Sequence, residues 1–311
     1  MCSSDLELIA ALSRVFGDSP LRADLLVGIG DDAAVMKESG RALVACADMA
    51  VEGVHFRRDW SSLAQIGGKL AVANFADVFA MGAAPKYLLV TAGLTPDIGI
   101  KEIEELAIGI KQQADSVGAI VVGGDLSSSP VLTLSITALG EMPTGRAAMT
   151  RAGAQVGDTV IVSGVPGYSA AGLAALRAGR ADEFTSVVTQ HQLPVLDFAS
   201  AKAFAAASVN SMCDVSDGLL SELGHIAKGS GVGIEISSAT LVSPVLYEIA
   251  SKLGADAWEW ILAGGEDHLF VGTTSGAIPE GAIEIGTVVE GNSVRVIDRD
   301  IPSSSGFRHF E

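Results

Sequence analysis

The residues most able to do chemistry in this chain are six aspartates at turns or at the ends of predicted elements: Asp32, Asp48, Asp77, Asp125, Asp214 and Asp217. If these side chains converge they repel one another, because two carboxylates ~4 Å apart interact by roughly 4 kcal/mol at an effective dielectric near 20. Protonation or a bound cation relieves that repulsion. Oxygen donors without a neighbouring His/Cys cluster select Mg²⁺ or Ca²⁺ over zinc.

The first aspartate follows a glycine-rich turn, Gly28-Ile29-Gly30-Asp31-Asp32. The glycines allow the backbone to turn tightly or to approach a ligand closely. Adjacent carboxylates repel a bare phosphate, but a Mg²⁺ ion between them reverses the sign. Because Mg²⁺ prefers a few carboxylates plus substrate phosphates, the pattern indicates phosphoryl transfer by positioning and charge neutralisation. At each single site, a polar turn with solvated aspartates remains the alternative.

Other phosphate-binding and nucleophilic motifs are missing from the sequence. Gly67-Gly68-Lys69-Leu70 lacks the spacing and the hydroxyl of a P-loop, and Gly28-x-Gly30-x-x-Ala33 is a weak dinucleotide match. No nucleophile–base pair is evident, so no side chain is predicted to act as a covalent nucleophile.

Length and composition predict a two-domain globular protein. The chain has 311 residues, 49% of them hydrophobic and 18% charged. Pro143, Thr144 and Gly145 interrupt the pattern, which predicts domains over 1–146 and 147–311. A net charge of -17 argues against nucleic-acid binding, and no run approaches the ~18 apolar residues of a membrane span. Acids at the N-terminus and three scattered cysteines without a CxxC pair predict a cytoplasmic protein.

Hydrophobic periodicity places the aspartates on an alternation of strands and helices. Strands are predicted at 25–27, 41–47, 87–94, 119–122, 131–139, 159–163 and 268–273, and helices at 5–16, 62–81, 99–117, 168–178 and 180–193. The stretch 213–219 is predicted to start a further helix that runs to about 228. Asp48 and Asp125 are expected at strand ends, where α/β folds gather their sites. Asn74 and Asp77 share a helix face. Ser216 is expected to cap the helix that follows it.

Seven motifs in order along the chain resemble the thiamine-monophosphate kinase family, in the superfamily of aminoimidazole-ribonucleotide synthetase. They are GIGDDAAV (28–35), VEGVHF (51–56), N-x-x-D-x-x-A-M-G-A (74–83), VGGD (122–125), TRAGAQVGD (150–158), D-V-S-D-G-L (214–219) and GGED (264–267), and the tail GFRHF (306–310) adds to them. The resemblance implies an α/β (α+β) fold of two domains. An N-terminal mixed sheet would pair across a homodimer, and a C-terminal α/β domain would complete the nucleotide and substrate site.

The resemblance also implies a reaction and a role for each motif residue. ATP and thiamine monophosphate would give ADP and thiamine diphosphate by direct transfer. Several Mg²⁺ ions would be bound by the six aspartates, with Asp31 as an adjacent candidate. By the same resemblance, ATP would contact Gly124, Asp125, Arg151 and Ser216, and thiamine monophosphate would contact His55, Glu266 and Phe307.

Some positions depart from the family pattern, and rival functions remain. Cys46-Ala47 stand where the family usually has hydroxyls, Leu126-Ser127-Ser128 replace Thr-Thr-Arg, and His268 replaces Tyr.

Selenophosphate synthetase needs a reactive cysteine in a glycine-rich loop, and Cys2 lacks that setting. The hydrogenase-maturation relative needs a C-terminal cysteine, whereas this sequence ends in Glu311. A non-catalytic regulator that binds a nucleotide or a metal is the alternative from a different functional class. Turnover of ATP and thiamine monophosphate would exclude it.

Overall fold

A computed structural model describes residues 5–17, 24–27 and 33–300. The chain divides into two compact units, one of Met1–Val78 and Ala83–Arg146, the other of Phe79–Gly82 and Ala147–Glu311. Asp31, Asp32 and Phe307, which the sequence predicts as site residues, lie outside the described residues. Among the helices of the described part, none has the length and apolar character that crossing a membrane requires.

The first unit is built on a mixed four-stranded sheet in the order β3-β6-β4-β5, in which only β4 and β5 run parallel. Its described elements are α1 Asp5–Gly17, β1 Leu25–Val27, β2 Val35–Met36, β3 Leu43–Val51, α2 Leu63–Ala80, β4 Ala84–Leu94, α3 Ile100–Val117, β5 Ile120–Ser128 and β6 Thr133–Glu141. The mixed sheet expected for the N-terminal domain is therefore confirmed.

Strand alternation gives this sheet one buried side and one side that is exposed in part. In β6, Leu134, Ile136 and Ala138 are fully buried. On the other side, Leu43 and Met49 of β3 are each 59% exposed and Leu89 of β4 is 37% exposed. We call the side that carries these three residues the open sheet face.

Two strands are longer than the sequence indicated, and this corrects the expected position of two aspartates. β3 continues past Asp48 to Val51, and β5 continues past Asp125 to Ser128. Both aspartates lie inside paired strands, with Asp48 opposite Ile136 and Asp125 opposite Thr91. The expectation that they stand at strand ends was wrong, because interstrand hydrogen bonds carry the extended backbone through residues whose own strand propensity is low.

The second unit has a six-stranded sheet in the order β12-β9-β11-β7-β10-β8, antiparallel except between β12 and β9. Its strands are β7 Thr159–Val162, β8 Ser211–Asp214, β9 Gly233–Ile236, β10 Phe270–Thr274, β11 Ile283–Val289 and β12 Val294–Val296. Its helices are α4 Tyr168–Arg177, α5 Thr185–Gln192, α6 Phe198–Ala207, α7 Leu219–Ser230, α8 Pro244–Leu253 and α9 Ala257–Ala263. Phe204, Phe270 and Met212 are among its fully buried side chains.

Candidate functional site

In the first unit, β3 and α2 bring two of the predicted metal-binding aspartates to one thiol. Cys46 on β3 donates its Sγ–H to the Asn74 carbonyl on α2 at 3.4 Å. Burial, and then the charges of Asp77 and Asp48, raise the pKa of the Cys46 thiol well above its ordinary value. The thiol therefore stays neutral at physiological pH, and carboxylate oxygens supply the negative charge around it.

The ring of His55 is held by the backbone of its own turn. Val51 N–H donates to His55 Nδ1 at 3.1 Å, and Gly53 N–H donates to the Phe56 carbonyl at 2.8 Å. Because Nδ1 accepts a hydrogen bond, the neutral ring carries its proton on Nε2. His55 thus has an N–H donor suited to a phosphate oxygen.

The packing of the sheet requires glycine at position 124, independently of any ligand that this residue contacts. A Cβ atom at this position would lie 1.8 Å from the carbonyl oxygen of Val90 on β4, so any side chain would collide with the neighbouring strand. The next residue, Asp125, is exposed. The glycine therefore lets two parallel strands approach closely beside an accessible carboxylate.

In the second unit, the GGED motif lies against the D-V-S-D-G motif. Glu266 N–H donates to the Ser216 carbonyl at 2.7 Å, and His268 N–H donates to the Val215 carbonyl at 3.0 Å. A Cβ on Gly265 would lie 2.4 Å from the Ser216 carbonyl oxygen, so only glycine allows this approach. Glu266 and His268 have φ values of 64° and 52°. Backbone strain of this kind in non-glycine residues is typical of functional loops.

A buried carboxyl lies beneath these two loops. Glu222 on α7 lies 3.5 Å from Arg151 Nη2 and accepts a hydrogen bond from Ser216 Oγ at 3.4 Å. Burial, and then the charge of Asp214, raises the pKa of Glu222 to about 7. Ser216 does not cap α7, because the N-cap residue is Gly218 and no side chain caps it. The expectation of a Ser216 cap was wrong, since its hydroxyl is directed to Glu222.

The two carboxylates of the GGED motif have different partners. Asp267 is buried and accepts hydrogen bonds from Gly167 N–H at 2.5 Å and Ser169 N–H at 2.9 Å, at the start of α4. Burial nevertheless raises the pKa of Asp267 to about 6. Glu266 Oε2 instead lies 3.5 Å from Nδ1 of His191 on α5. Periodicity had indicated only a polar helix around His191, so no sequence signal pointed to this contact.

The donor chemistry of both units fits a hard cation. The charges of Asp48 and Asp77 both act on the Cys46 thiol in the first unit, and those of Asp214 and Asp217 both act on the Glu222 carboxyl in the second. Carboxylate oxygens are the ligands that Mg²⁺ prefers. Within residues 5–17, 24–27 and 33–300, no group of three or more His, Cys, Asp or Glu side chains has metal-binding geometry.

Comparisons with known proteins agree on one family. Residues 30–142 match the N-terminal domain of AIR synthase related proteins, and residues 155–299 match the C-terminal domain. A thiamine-monophosphate kinase from Mycobacterium tuberculosis is 38% identical over 93% of this chain and 87% of its own length. The enzyme of the same name from Corynebacterium glutamicum is 39% identical over 90% of this chain and 88% of its own length.

Solved structures extend the likeness to the whole fold. Thiamine-monophosphate kinase from Stenotrophomonas maltophilia has a TM-score of 0.82 and 30% identity, covering 96% of this chain and 98% of that one. AaThiL complexed with AMPPCP and TMP has a TM-score of 0.80 and 31% identity, covering 98% of this chain and 97% of that one. This chain therefore belongs to the thiamine-monophosphate kinase family of AIR synthase related proteins.

Proposed function

We propose that this protein transfers a phosphoryl group from ATP to thiamine monophosphate, giving ADP and thiamine diphosphate. The observation that carries the proposal is the likeness, over nearly the whole of both chains, to a relative solved with AMPPCP and TMP. The two non-glycine residues of the GGED loop with positive φ support an active function, because such strain persists only where the surrounding structure enforces it.

We assign Mg²⁺ binding to Asp32, Asp48, Asp77, Asp125, Asp214 and Asp217. When bound, the ions supply positive charge that offsets the charge of the ATP and substrate phosphates. The charges of Asp48 and Asp77 that act on Cys46, and those of Asp214 and Asp217 that act on Glu222, support this assignment for four of the six residues. The phosphate oxygen of the substrate can attack directly, so the reaction needs no covalent nucleophile from the protein.

The nucleotide is assigned to Gly124, Asp125, Arg151 and Ser216. For the substrate, the Nε2–H of His55 suits a phosphate oxygen. The partly exposed carboxylate of Glu266 suits the cationic thiazolium ring of thiamine. Phe307, outside the described residues, is assigned to the same substrate. The proposal keeps the domain bounds that the sequence predicts, with metal binding, ATP binding and dimerisation in a domain over 1–146. A domain over 147–311 would complete the nucleotide and substrate site.

A homodimer is part of the proposal, with the open sheet face as its interface. Leu43, Met49 and Leu89 leave apolar side chains exposed on this face, and a second copy of the same face would bury them. A cytoplasmic location stays a prediction from the sequence.

Turnover with purified protein tests the function directly. We expect thiamine diphosphate and ADP in equal amounts from ATP, thiamine monophosphate and Mg²⁺, and none when EDTA is in excess. Unphosphorylated thiamine, offered in place of the monophosphate, is the matched substrate control. ATP binding without any turnover would support the regulator instead. A phosphorylated enzyme trapped after incubation with labelled ATP alone would exclude direct transfer.

A further inference from the structure

A buried histidine contacts the carboxylate that we assign to the substrate. His191, near the end of α5, is only 7% exposed, and its Nδ1 atom lies 3.5 Å from Glu266 Oε2. The same Nδ1 lies 3.0 Å from Ser169 Oγ on α4. The Glu266 side chain keeps 36% of its surface exposed. Glu266 therefore has a buried side toward the histidine and an open side on which a ligand can bind.

The backbone on both sides of Glu266 is anchored, but its side chain needs a separate restraint. Glu266 N–H is bound by the Ser216 carbonyl, and the next residue, Asp267, is bound by the first turn of α4. A glutamate side chain still has three rotatable bonds beyond this backbone. A donor on a buried ring, itself held between helices, restricts those rotations and directs the carboxylate.

The two hydrogen-bond partners of Nδ1 indicate which ring nitrogen of His191 carries a proton. An ionised carboxylate only accepts hydrogen bonds, whereas a serine hydroxyl can also accept one. A proton on Nδ1 therefore satisfies both partners, since Nδ1–H can be shared between Glu266 Oε2 and Ser169 Oγ. A proton on Nε2 alone would place the Nδ1 lone pair against the negative carboxylate.

We infer that His191 is a positioning residue, which holds the Glu266 carboxylate through Nδ1–H in the orientation that receives the cationic ring of the substrate. The inference rests on the proposed function and deepens it, because it names the group that organises the substrate side of the site. His191 itself does not touch the substrate.

A double-mutant cycle between the two residues tests the inference. The variants are His191→Leu, which removes the donor, His191→Asn, which keeps an N–H near the position of Nδ1, Glu266→Gln, and the double variant His191→Leu/Glu266→Gln. Ser200→Ala, which removes a buried hydroxyl on α6, is the control for general loss of stability. For each variant, KM for thiamine monophosphate, KM for ATP, kcat and Tm are measured.

We expect His191→Leu to raise the KM for thiamine monophosphate by ~2- to 10-fold, the range of one hydrogen bond, while the KM for ATP stays within ~2-fold. His191→Asn should restore most of the affinity. The double variant should match Glu266→Gln alone, because a residue that acts through another has no separate effect once that other is changed. Ser200→Ala should leave both KM values unchanged.

Additive effects in the cycle, or equal increases in both KM values, would overturn the inference. If His191→Leu does not fold, ¹⁵N-histidine NMR of the wild-type protein decides the point, with the resonance assigned by His191→Asn. An unprotonated Nδ1 at neutral pH overturns the inference and a protonated one supports it. Failure of the wild-type protein to bind or turn over thiamine monophosphate would overturn the proposed function itself, which separates the two.

Discussion

Nδ1 of His268 lies 3.2 Å from Oδ2 of Asp214, and both side chains are buried. Asp214 ends β8, and its neighbour on β10 is Phe270, two residues after the histidine. The φ of 52° at His268 lies in the left-handed region. The imidazole and the carboxylate are therefore within hydrogen-bond distance of each other in the interior of the second unit.

His268→Leu should lower the free energy of unfolding by ~1–3 kcal/mol, because it leaves the Asp214 carboxylate buried without this donor. His268→Asn should cost less, since asparagine tolerates the left-handed region and keeps an N–H donor. Urea denaturation of both variants measures the difference. Equal losses for leucine and asparagine would mean that the hydrogen bond contributes nothing to stability.

Asp217→Asn should reduce kcat at least ~10-fold, since a metal ligand contributes charge stabilisation worth several kcal/mol. The Tm without Mg²⁺ should hardly change, because Gly218 is the N-cap of α7 and no side chain caps this helix. Glu259→Gln, in the first turn of α9, is the matched control and should keep full activity. If the asparagine variant matched the wild type at saturating Mg²⁺, Asp217 would not be a ligand.

The stability contribution of Asp267 should depend on pH. Burial raises its pKa from 3.8 to about 6, so between these values the folded state binds more protons than the unfolded state. The contribution of Asp267 to the free energy of unfolding is therefore complete below the pKa of the unfolded state. It is lost as the pH rises through the pKa of the folded state. The asparagine of the Asp267→Asn variant cannot ionise. The free energy of unfolding of this variant minus that of the wild type should therefore increase by up to ~3 kcal/mol between about pH 4 and pH 7.

Urea denaturation across this pH range measures that difference for Asp267→Asn. Ser243→Ala, which removes the non-titrating N-cap of α8, is the control, and its difference from wild type should stay constant with pH. A constant difference for Asp267→Asn as well would show that this carboxyl ionises in the folded state as easily as in the unfolded chain.

Met49→Asp should convert a dimer to a monomer, because it places a charge on the open sheet face, which the dimer would bury. Size-exclusion chromatography with light scattering measures the mass. Val195→Asp, at a side chain of the second unit that is 75% exposed, is the control and should leave the dimer intact. A wild-type protein that elutes as a monomer would remove the basis of this prediction.

Phe307→Ala should raise the KM for thiamine monophosphate by roughly 2- to 30-fold, because an aromatic face attracts the thiazolium cation. The KM for ATP should stay within about 2-fold, and Phe307→Tyr should retain most of the affinity. Steady-state kinetics with each substrate varied in turn measures both constants. Equal losses for both substrates, or none, would mean that Phe307 has no specific contact with thiamine.

Local sequence patterns determined much of the fold. The apolar spacing of 62–81 predicted α2 to within a residue at each end, and Gly82 followed by Pro85 marked its end. Strand β7 and helix α4 were predicted with similar accuracy. These elements depend on periodicity and turn residues close in sequence. The motif order also indicated the family, because residue types at fixed spacing can be read without knowing where the side chains meet.

Only the tertiary structure decided which side chains meet. Ser216 has the residue type of a helix cap, but its hydroxyl is directed to Glu222. His191 carries no motif, yet it lies against Glu266, 75 residues away in the chain. Asp48 lies inside a strand because pairing with β6 extends β3 beyond it. A hydrogen bond between distant residues depends on how helices and strands pack, and packing depends on the whole chain rather than on the few residues around each partner.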